Sequence, residues 1–291
     1  MTFDVLATAV GWESQIPEPG SLTTITDTTG VDPTVLLLHI VSSSLKVLSS
    51  SEAIVLVSFE QIFMHYNRIL RKMGTNVDAA RKAKKMYFVD GVSEISSFSN
   101  IKKYHVDTSD NVSKVTQPDG VIKNLLQLSQ EQIVAELIQA IVGCDSSTNT
   151  GEGQHLDESK KIKGVFIHGL SVLTYLGYTS GTIRCFIDTL KTFLQINGGF
   201  LVILTNADKD IISDLEAEDD YVSLLTGLYY QSDLILQVGP LISGYSVDVT
   251  GQIAIVCKPH YKEKIPGPLL LHYKTLENKA LFFAPGQKLQ F

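Results

Sequence analysis

The sequence predicts an α/β fold in which a mainly parallel sheet is flanked by helices and ends in antiparallel hairpins. Apolar runs of strand length alternate with helix-length segments between residues 22 and 238, which favours parallel strands joined by crossover helices. One run, Ala53–Phe59, is continuously apolar, as expected of a strand buried on both faces. After residue 239 strand-like segments follow one another directly, which is typical of hairpins.

The alternating part of the chain contains six predicted strands with helices between them. The strands are Leu22–Thr26, Ala53–Phe59, Met86–Val89, Gly164–His168, Phe200–Thr205 and Asp233–Val238. Apolar residues three and four positions apart predict the helices. They are a helix from about Pro33, then Phe59–Met73, a short basic helix over Val77–Lys85, Val121–Val142 with a break near Ser129, Leu170–Leu176, Thr182–Ile196 and Tyr221–Tyr230.

Successive strand-like segments in the C-terminal part of the sequence predict a β-meander, and we expect the chain to form one domain. The meander strands are Tyr245–Val249, Gln252–Cys257, Leu269–Thr275 and Lys279–Ala284. A single domain is expected over residues 21–291, after a loose N-terminal lead-in over residues 1–20. Insertions near 93–120 and 143–163 are expected to be flexible because both are polar and poor in apolar residues.

Composition limits the class of protein. The chain has 291 residues, of which 44% are hydrophobic, so a large core can be filled. Its net charge of -7 argues against a nucleic-acid binder as a whole, although a local basic face remains compatible with it. Three widely separated cysteines show no zinc spacing and indicate a reducing compartment. With no signal peptide and no membrane-length apolar run, we expect a soluble intracellular protein without a membrane partner, cofactor or metal.

The segment from Leu22 to Leu48 has the strand–turn–helix order on which phosphate-binding loops are built. Such a loop needs two glycines and a lysine, whereas Asp27–Thr34 supplies only Gly30 and no lysine. A nucleotide hydrolase also needs an acidic residue after a later strand, and the fourth predicted strand ends in His168 instead. A lone histidine there is typical of a hydrogen-bonded structural residue. We therefore expect the shape of a nucleotide-binding domain without independent ATP hydrolysis.

Two further motifs predict no site. Gly169-Leu170-Ser171 begins like the nucleophile elbow of a hydrolase, but Leu173 occupies the position of the second glycine. Seven carboxylates do not match the calcium-loop spacing and predict a solvated acidic loop. They are Asp208, Asp210, Asp214, Glu216, Glu218, Asp219 and Asp220.

A basic cluster stands out in this acidic chain and forms the candidate RNA-binding site. Arg68, Arg71 and Lys72 share a helical face by spacing. The full cluster comprises Arg68, Arg71, Lys72, Arg81, Lys82, Lys84 and Lys85. It either balances charge on a solvent-exposed face or contacts the phosphate backbone of RNA. No stacking aromatic motif lies nearby in the sequence, so base-specific recognition is not predicted.

Several segments, in order over most of the chain, resemble the family of Elongator complex subunit 6. The segments are Ala53–Gly74, Gly169–Gly177, Leu224–Leu236, Ser243–Gly251 and Tyr273–Gly286. The similarity is weakest over residues 91–163. Some relatives carry an acidic residue where this chain has His168-Gly169.

The resemblance implies a RecA-like fold without intact nucleotide motifs, that is, a pseudo-ATPase subunit without Walker A and Walker B residues. It further implies assembly with Elongator subunits 4 and 5 into a hetero-hexameric ring. That ring accompanies the catalytic Elongator subcomplex, which modifies the wobble uridine of tRNA, and it binds and releases tRNA. The expected compartments are the cytoplasm and also the nucleus.

Two other functions stay open from the sequence. One is a RecA-like NTPase with an atypical phosphate loop around Asp27–Thr34. The other is a protein-interaction module unrelated to RNA. The missing lysine argues against the first, and the identity of the obligate partners would distinguish the second.

Overall fold

The computed structural model describes residues 5–28, 30–93, 118–144, 160–208, 212, 219–265 and 268–287. These residues form one sheet of ten strands. The strands are β1 (Leu22–Asp27), β2 (Glu52–Ser58), β3 (Met86–Asp90), β4 (Gly120–Val121), β5 (Lys161–His168), β6 (Phe200–Asn206), β7 (Leu234–Gly239), β8 (Gly251–Cys257), β9 (Leu270–Thr275) and β10 (Ala280–Phe283).

The order across the sheet is β10-β9-β8-β7-β1-β6-β5-β2-β3-β4. The strands from β7 to β4 pair in parallel, and the last three strands along the chain add antiparallel at one side. The predicted α/β fold, with a mainly parallel sheet and C-terminal antiparallel strands, is confirmed.

Helices cover both faces of the sheet. They are α1 (Val5–Ala9), α2 (Thr34–Val47), α3 (Phe63–Lys72), α4 (Val77–Lys82), α5 (Gln130–Val142), α6 (Val172–Tyr175), α7 (Ser180–Ile196), α8 (Asp220–Gln231) and α9 (Pro259–Lys262). One face packs against α1 to α4, and the other packs against α5, α7 and α8.

Alternating side chains of the central strands fill these two cores. Ile54 and Leu56 of β2 belong to the core beneath α2 and α3, whereas Val55 and Val57 belong to the opposite core. Because successive residues of a strand point to opposite faces, a continuously apolar strand serves both cores at once. The apolar run is therefore consistent with an interior strand, and β2 lies between β5 and β3.

The N-terminal lead-in was expected to be loose, and the structure corrects this. Residues 5–16 contain α1, and Leu6, Val10 and Trp12 are buried in the core. The indole Nε1–H of Trp12 donates a hydrogen bond to the Tyr261 hydroxyl at 3.0 Å. The segment is fixed because its apolar side chains cover one face of the sheet.

Three boundaries also differ from the prediction. Residues 245–249 form no strand, and Tyr245 is 95% exposed. The predicted helix over 121–142 begins only at Gln130, where Ser129 and Gln132 form the predicted capping box. β5 begins at Lys161, so the polar stretch predicted to reach residue 163 ends earlier. The remainder of both predicted insertions, residues 94–117 and 145–159, lies outside the described residues.

The apolar sequence Leu281-Phe282-Phe283 predicts more hydrophobic surface than one sheet face buries, and therefore a surface for a partner. The structure instead buries Phe282 and Phe283 within the chain. Phe282 packs against the His39 ring, with 5.1 Å between the ring centroids. The appended hairpins therefore extend the core beneath α2 rather than presenting an apolar edge.

Candidate functional site

Polar side chains gather where the parallel strands end. Asp27, Ser58, Asp90, His168 and Asn206 are the last residues of β1, β2, β3, β5 and β6. The carboxyl ends of parallel strands meet at one edge of a sheet, and ligands of open α/β sheets bind there. This carboxyl edge is therefore where a nucleotide site would form.

A chain of hydrogen bonds connects this edge to helix α3. The Ser58 hydroxyl oxygen accepts from the backbone N–H groups of Glu60 at 3.2 Å and Gln61 at 2.9 Å. It lies 2.7 Å from the Tyr66 hydroxyl, which lies 2.6 Å from Nδ1 of His168. Nε2 of His168 is 3.3 Å from a carboxylate oxygen of Glu60.

The direction of this chain follows from its donors. Because Ser58 already accepts two backbone N–H groups, its own proton points to Tyr66. Tyr66 then donates to Nδ1 of His168, which leaves the ring proton on Nε2 facing Glu60. Burial raises the pKa of Tyr66, so its hydroxyl stays protonated. The sequence interpretation of His168 as a hydrogen-bonded structural residue agrees with these contacts.

The turn after β1 is held by its own carboxylate. Oδ1 of Asp32 accepts a hydrogen bond from the backbone N–H of Thr34 at 2.8 Å, at the start of α2. Pro33 has no N–H to offer. A phosphate at a helix N-terminus relies on such backbone donors and on positive charge. Here an acidic side chain uses the donor, and no lysine follows Gly30 in the turn.

Two cavities among the described residues lie at this edge. One, of about 620 Å³, lies beside the ends of β1 and β7. The other, next to the turn after β1, is small and lined by carboxylates. Its volume is about 230 Å³, and Asp27, Asp32, Glu60, His168 and Asn206 are among its lining residues. Pockets for small-molecule ligands typically measure roughly 300–1,000 Å³. Burial raises the pKa of Asp27 to about 6, and the nearby carboxylates of Glu60 and Asp32 add to this effect. Polyphosphate would meet like charge in this cleft.

The predicted basic cluster is divided by the structure. Arg81 points inward: its side chain is 7% exposed, and its guanidinium lies 3.0 Å from a carboxylate oxygen of Asp119. The guanidinium also sits 4.5 Å from the centroid of the Phe63 ring. Arg81 therefore holds α4 against its neighbours, which corrects its assignment to a surface cluster.

The other six cations of the cluster lie at two places. Arg68, Arg71 and Lys72 are exposed on α3, as their spacing predicts. Arg71 forms an ion pair with Asp78, and Lys72 lies 3.7 Å from Glu277. The second place holds Lys82, Lys84 and Lys85, at the end of α4 and before β3.

The acidic loop over 208–220 is described only in part. Asp208 is buried, Asp219 caps α8 by accepting from Tyr221 N–H at 2.7 Å, and Asp220 accepts from Ser180 N–H at 2.8 Å. Asp219 is half-buried and Asp220 is exposed, so the Asp220 carboxylate contacts solvent as well as Ser180. Asp210, Asp214, Glu216 and Glu218 lie outside the described residues.

Across the described ranges, three-residue clusters suited to a metal ion are absent, and no helix is long and apolar enough to cross a membrane.

The sheet order and the cleft define a RecA-like α/β domain. A solved structure of a KaiC-like protein from Pyrococcus horikoshii superposes on it with a TM-score of 0.54, at 12% identity, covering 92% of this chain and 91% of that chain. The sequence pattern of the Elongation complex protein 6 family matches residues 3–277. The chain therefore belongs to this family.

Named relatives of this family match over nearly the whole chain. Elongator complex protein 6 of Homo sapiens is 24% identical and that of Rattus norvegicus is 23% identical, each over 273 residues and 92% of both chains. The chain is accordingly a subunit of the Elongator complex, and the name of that complex connects it with tRNA modification.

Sequence reasoning missed part of the carboxyl edge. Tyr66 looked like one more apolar member of the α3 face, and Asp32 looked like an ordinary turn residue. The rule that parallel strands end at a common edge is enough to group Asp27, Ser58 and His168 from the amino-acid sequence alone. The contact of Tyr66 with that group depends on how α3 packs across β2.

Proposed function

We propose that this chain is a non-catalytic structural subunit of the Elongator accessory ring, with subunits 4 and 5 as its partners. In this role it supports wobble-uridine modification and contributes to tRNA binding and release, while the catalytic subcomplex carries out the chemistry. The proposed compartments are the cytoplasm and the nucleus. Membership of the family supports the assembly, since the match spans residues 3–277.

The observation that carries the non-catalytic assignment is the charge at the carboxyl edge. Asp27, Asp32 and Glu60 line the cleft in which a RecA-like domain would hold phosphates. Asp32 also uses the backbone donor of Thr34 at the start of α2. A triphosphate would need to displace this contact and lie beside three carboxylates. The alternative of an NTPase with an atypical phosphate loop has to overcome both costs.

Exposed apolar side chains support the proposal that the chain works as part of a protein complex. Between β7 and β8, Ile242 is 91% exposed, Tyr245 is 95% exposed and Val247 is 77% exposed. Exposed apolar patches mark interaction sites or promote self-association. We expect the isolated chain to self-associate or to dissolve poorly.

Two measurements test the proposal. Calorimetric titration of the purified chain with Mg-ATP should give no saturable binding, and a saturable site with turnover would replace the proposal by the NTPase. Co-expression with subunits 4 and 5 should yield a soluble complex containing all three chains. The ring assignment would be contradicted if the chain were a monodisperse monomer at high concentration and bound neither subunit 4 nor subunit 5.

A further inference from the structure

Lysines collect at the amino edge of the parallel sheet, opposite the carboxylate-lined cleft. Ile54 of β2 pairs with Met86 of β3 on one side and with Gly164 of β5 on the other. The residues that precede these positions therefore lie side by side at one edge. Since neighbouring strands are roughly 4.8 Å apart, Met86 and Gly164 lie about 10 Å from each other across β2. We call this group the lysine edge; it comprises Lys82, Lys84, Lys85, Lys160, Lys161 and Lys163.

Main-chain carbonyls fix several of these side chains in place. Nζ of Lys85 donates to the Leu48 carbonyl at 2.8 Å, and Nζ of Lys160 donates to the Ser50 carbonyl of the same turn. Nζ of Lys163 donates to the Gly198 carbonyl at 2.5 Å. A carbonyl oxygen carries no net charge, so the hydrogen bonds of Lys85 and Lys163 position their ammonium groups without adding a counter-charge. Lys82 and Lys161 are exposed.

A carboxylate at the same edge responds to this potential. Glu52 begins β2, between the two groups of lysines, and its carboxylate accepts from the Ser49 N–H and hydroxyl, each at 3.0 Å. Burial would raise the pKa of Glu52, but the hydrogen bonds from Ser49 and the nearby Lys163 and Lys161 lower it. Lys163 and Lys161 on β5 therefore act on the Glu52 carboxylate at this edge.

The composition of the edge indicates the kind of partner. Besides the lysines, the exposed residues of the turn before β2 are Ser49, Ser50 and Ser51. Protein–protein interfaces are depleted in Lys and Ser and enriched in aromatic residues, Met and Arg. Contacts to nucleic-acid phosphates, in contrast, come from Lys and Ser side chains and from backbone N–H groups. The edge matches the second pattern.

We propose that the lysine edge binds the phosphate backbone of RNA without reading its sequence. The proposal rests on the proposed function, because that function makes an RNA the natural polyanion of the assembly. It moves the contact away from the face of α3, where Asp78 and Glu277 accompany Arg71 and Lys72. Lysine ammonium groups act as point charges, so their binding to phosphates does not require one fixed geometry and depends strongly on salt.

Two matched double variants test the site within the complex that the full chain forms with its partners. Lys82→Gln with Lys161→Gln removes two charges from the lysine edge, and Arg68→Gln with Lys72→Gln removes two from α3. The probe is a fluorescent tRNA transcript, and its affinity is measured by anisotropy over a range of salt concentrations. The first variant should weaken binding about tenfold and reduce the salt slope by about 2, because each lost phosphate contact lowers the slope by roughly 1. The α3 variant should bind as the unchanged complex does.

Each of the other possible results of this experiment would refute either the RNA site or the proposed function. An unchanged affinity and slope in the lysine-edge variant, with the complex still intact, would refute the site and leave the proposed function standing. Loss of the catalytic subcomplex from that variant with unchanged RNA affinity would assign the edge to an acidic protein surface instead. If the lysine-edge variant folds poorly, Glu52→Gln tests the site in the opposite direction, because it removes a negative charge from the same edge. This variant should bind RNA more tightly, and unchanged affinity would refute the site. Failure of the unchanged complex to bind RNA would refute the tRNA role itself.

Discussion

Oδ1 of Asp32 lies 2.8 Å from the backbone nitrogen of Thr34 and accepts its hydrogen bond at the first turn of α2. This side chain therefore satisfies a donor that the helix cannot satisfy internally. Asp32→Ala should lower the free energy of unfolding by about 1 kcal/mol, the usual cost of losing such a cap. Urea denaturation of the chain in its complex measures the change.

Asp32→Asn is the matched control because its carbonyl oxygen can still accept from Thr34. It should retain most of the stability. If Asp32→Ala and Asp32→Asn were equally stable, the hydrogen bond would contribute nothing and the turn would be held by Pro33 alone. Neither variant should acquire ATP binding, since Asp27 and Glu60 still line the cleft.

The raised pKa of Asp27 makes stability depend on pH. Because its pKa is about 6 in the folded protein and 3.8 in its ordinary state, the folded chain binds this proton more tightly than the unfolded chain does. The contribution of Asp27 to stability is therefore favourable at low pH and is lost as the pH rises from about 3.8 to about 6. Burial is the main cause, with the Glu60 carboxylate next.

Asp27→Asn should remove this dependence. At pH 7.5 the variant should be more stable than the unchanged chain by about 1 kcal/mol, a figure reduced from the full linkage value because the side chain is partly exposed. Near pH 4 the two should be equal. Thermal unfolding at both pH values measures the difference, and a gain that is the same at both would show that Asp27 does not titrate as described.

Most of the sheet was predictable because its strands are short apolar runs. β2 and β6 are buried almost end to end, so their sequence pattern reflects their position in the sheet. α1 was not predictable in this way, since five residues are too few to show helical periodicity. Residues 245–249 have an alternating pattern, but the described structure places no neighbouring strand beside them, and Tyr245 and Val247 remain exposed.

The candidate site was predictable only as a set of absences. The lack of lysine after Gly30 could be read directly from the sequence. The hydrogen bonds at the carboxyl edge join β2, α3 and β5, and the two partners Tyr66 and His168 are 102 residues apart. Similarly, Lys85 before β3 and Lys161 of β5 come to the same edge of the sheet only because both strands pair with β2. Pairing over such separations depends on tertiary packing rather than on local pattern.

The Tyr66 hydroxyl is the central member of the hydrogen-bond chain at the carboxyl edge. Tyr66→Phe removes the acceptor of Ser58 and the donor of His168 while keeping the ring in place. Leaving buried polar groups without partners costs about 1–3 kcal/mol, so the free energy of unfolding should fall by that amount. Tyr230→Phe is the control, because Tyr230 is 79% exposed and should tolerate the change. Equal stability of the two variants would mean that water replaces the Tyr66 hydroxyl without loss.

Arg81 and Lys82 are adjacent basic residues with opposite environments, and they separate structural charge from surface charge. Arg81 is buried against Asp119 and Phe63, whereas Lys82 is exposed. Arg81→Ala leaves the Asp119 carboxylate without its guanidinium and removes the packing on Phe63. Because Asp119 is partly exposed, the expected loss is about 2–3 kcal/mol, below that for a fully buried pair.

Lys82→Ala should change the free energy of unfolding by less than about 0.5 kcal/mol, as surface substitutions usually do. Equilibrium urea denaturation of both variants gives the comparison. The opposite order of stabilities would contradict the placement of the Arg81 side chain. Arg81→Lys separates charge from stacking, because lysine keeps the positive charge but lacks the planar guanidinium group. It should therefore be more stable than Arg81→Ala and less stable than the unchanged chain. Full recovery would mean that charge alone, and not stacking on Phe63, holds α4 in place.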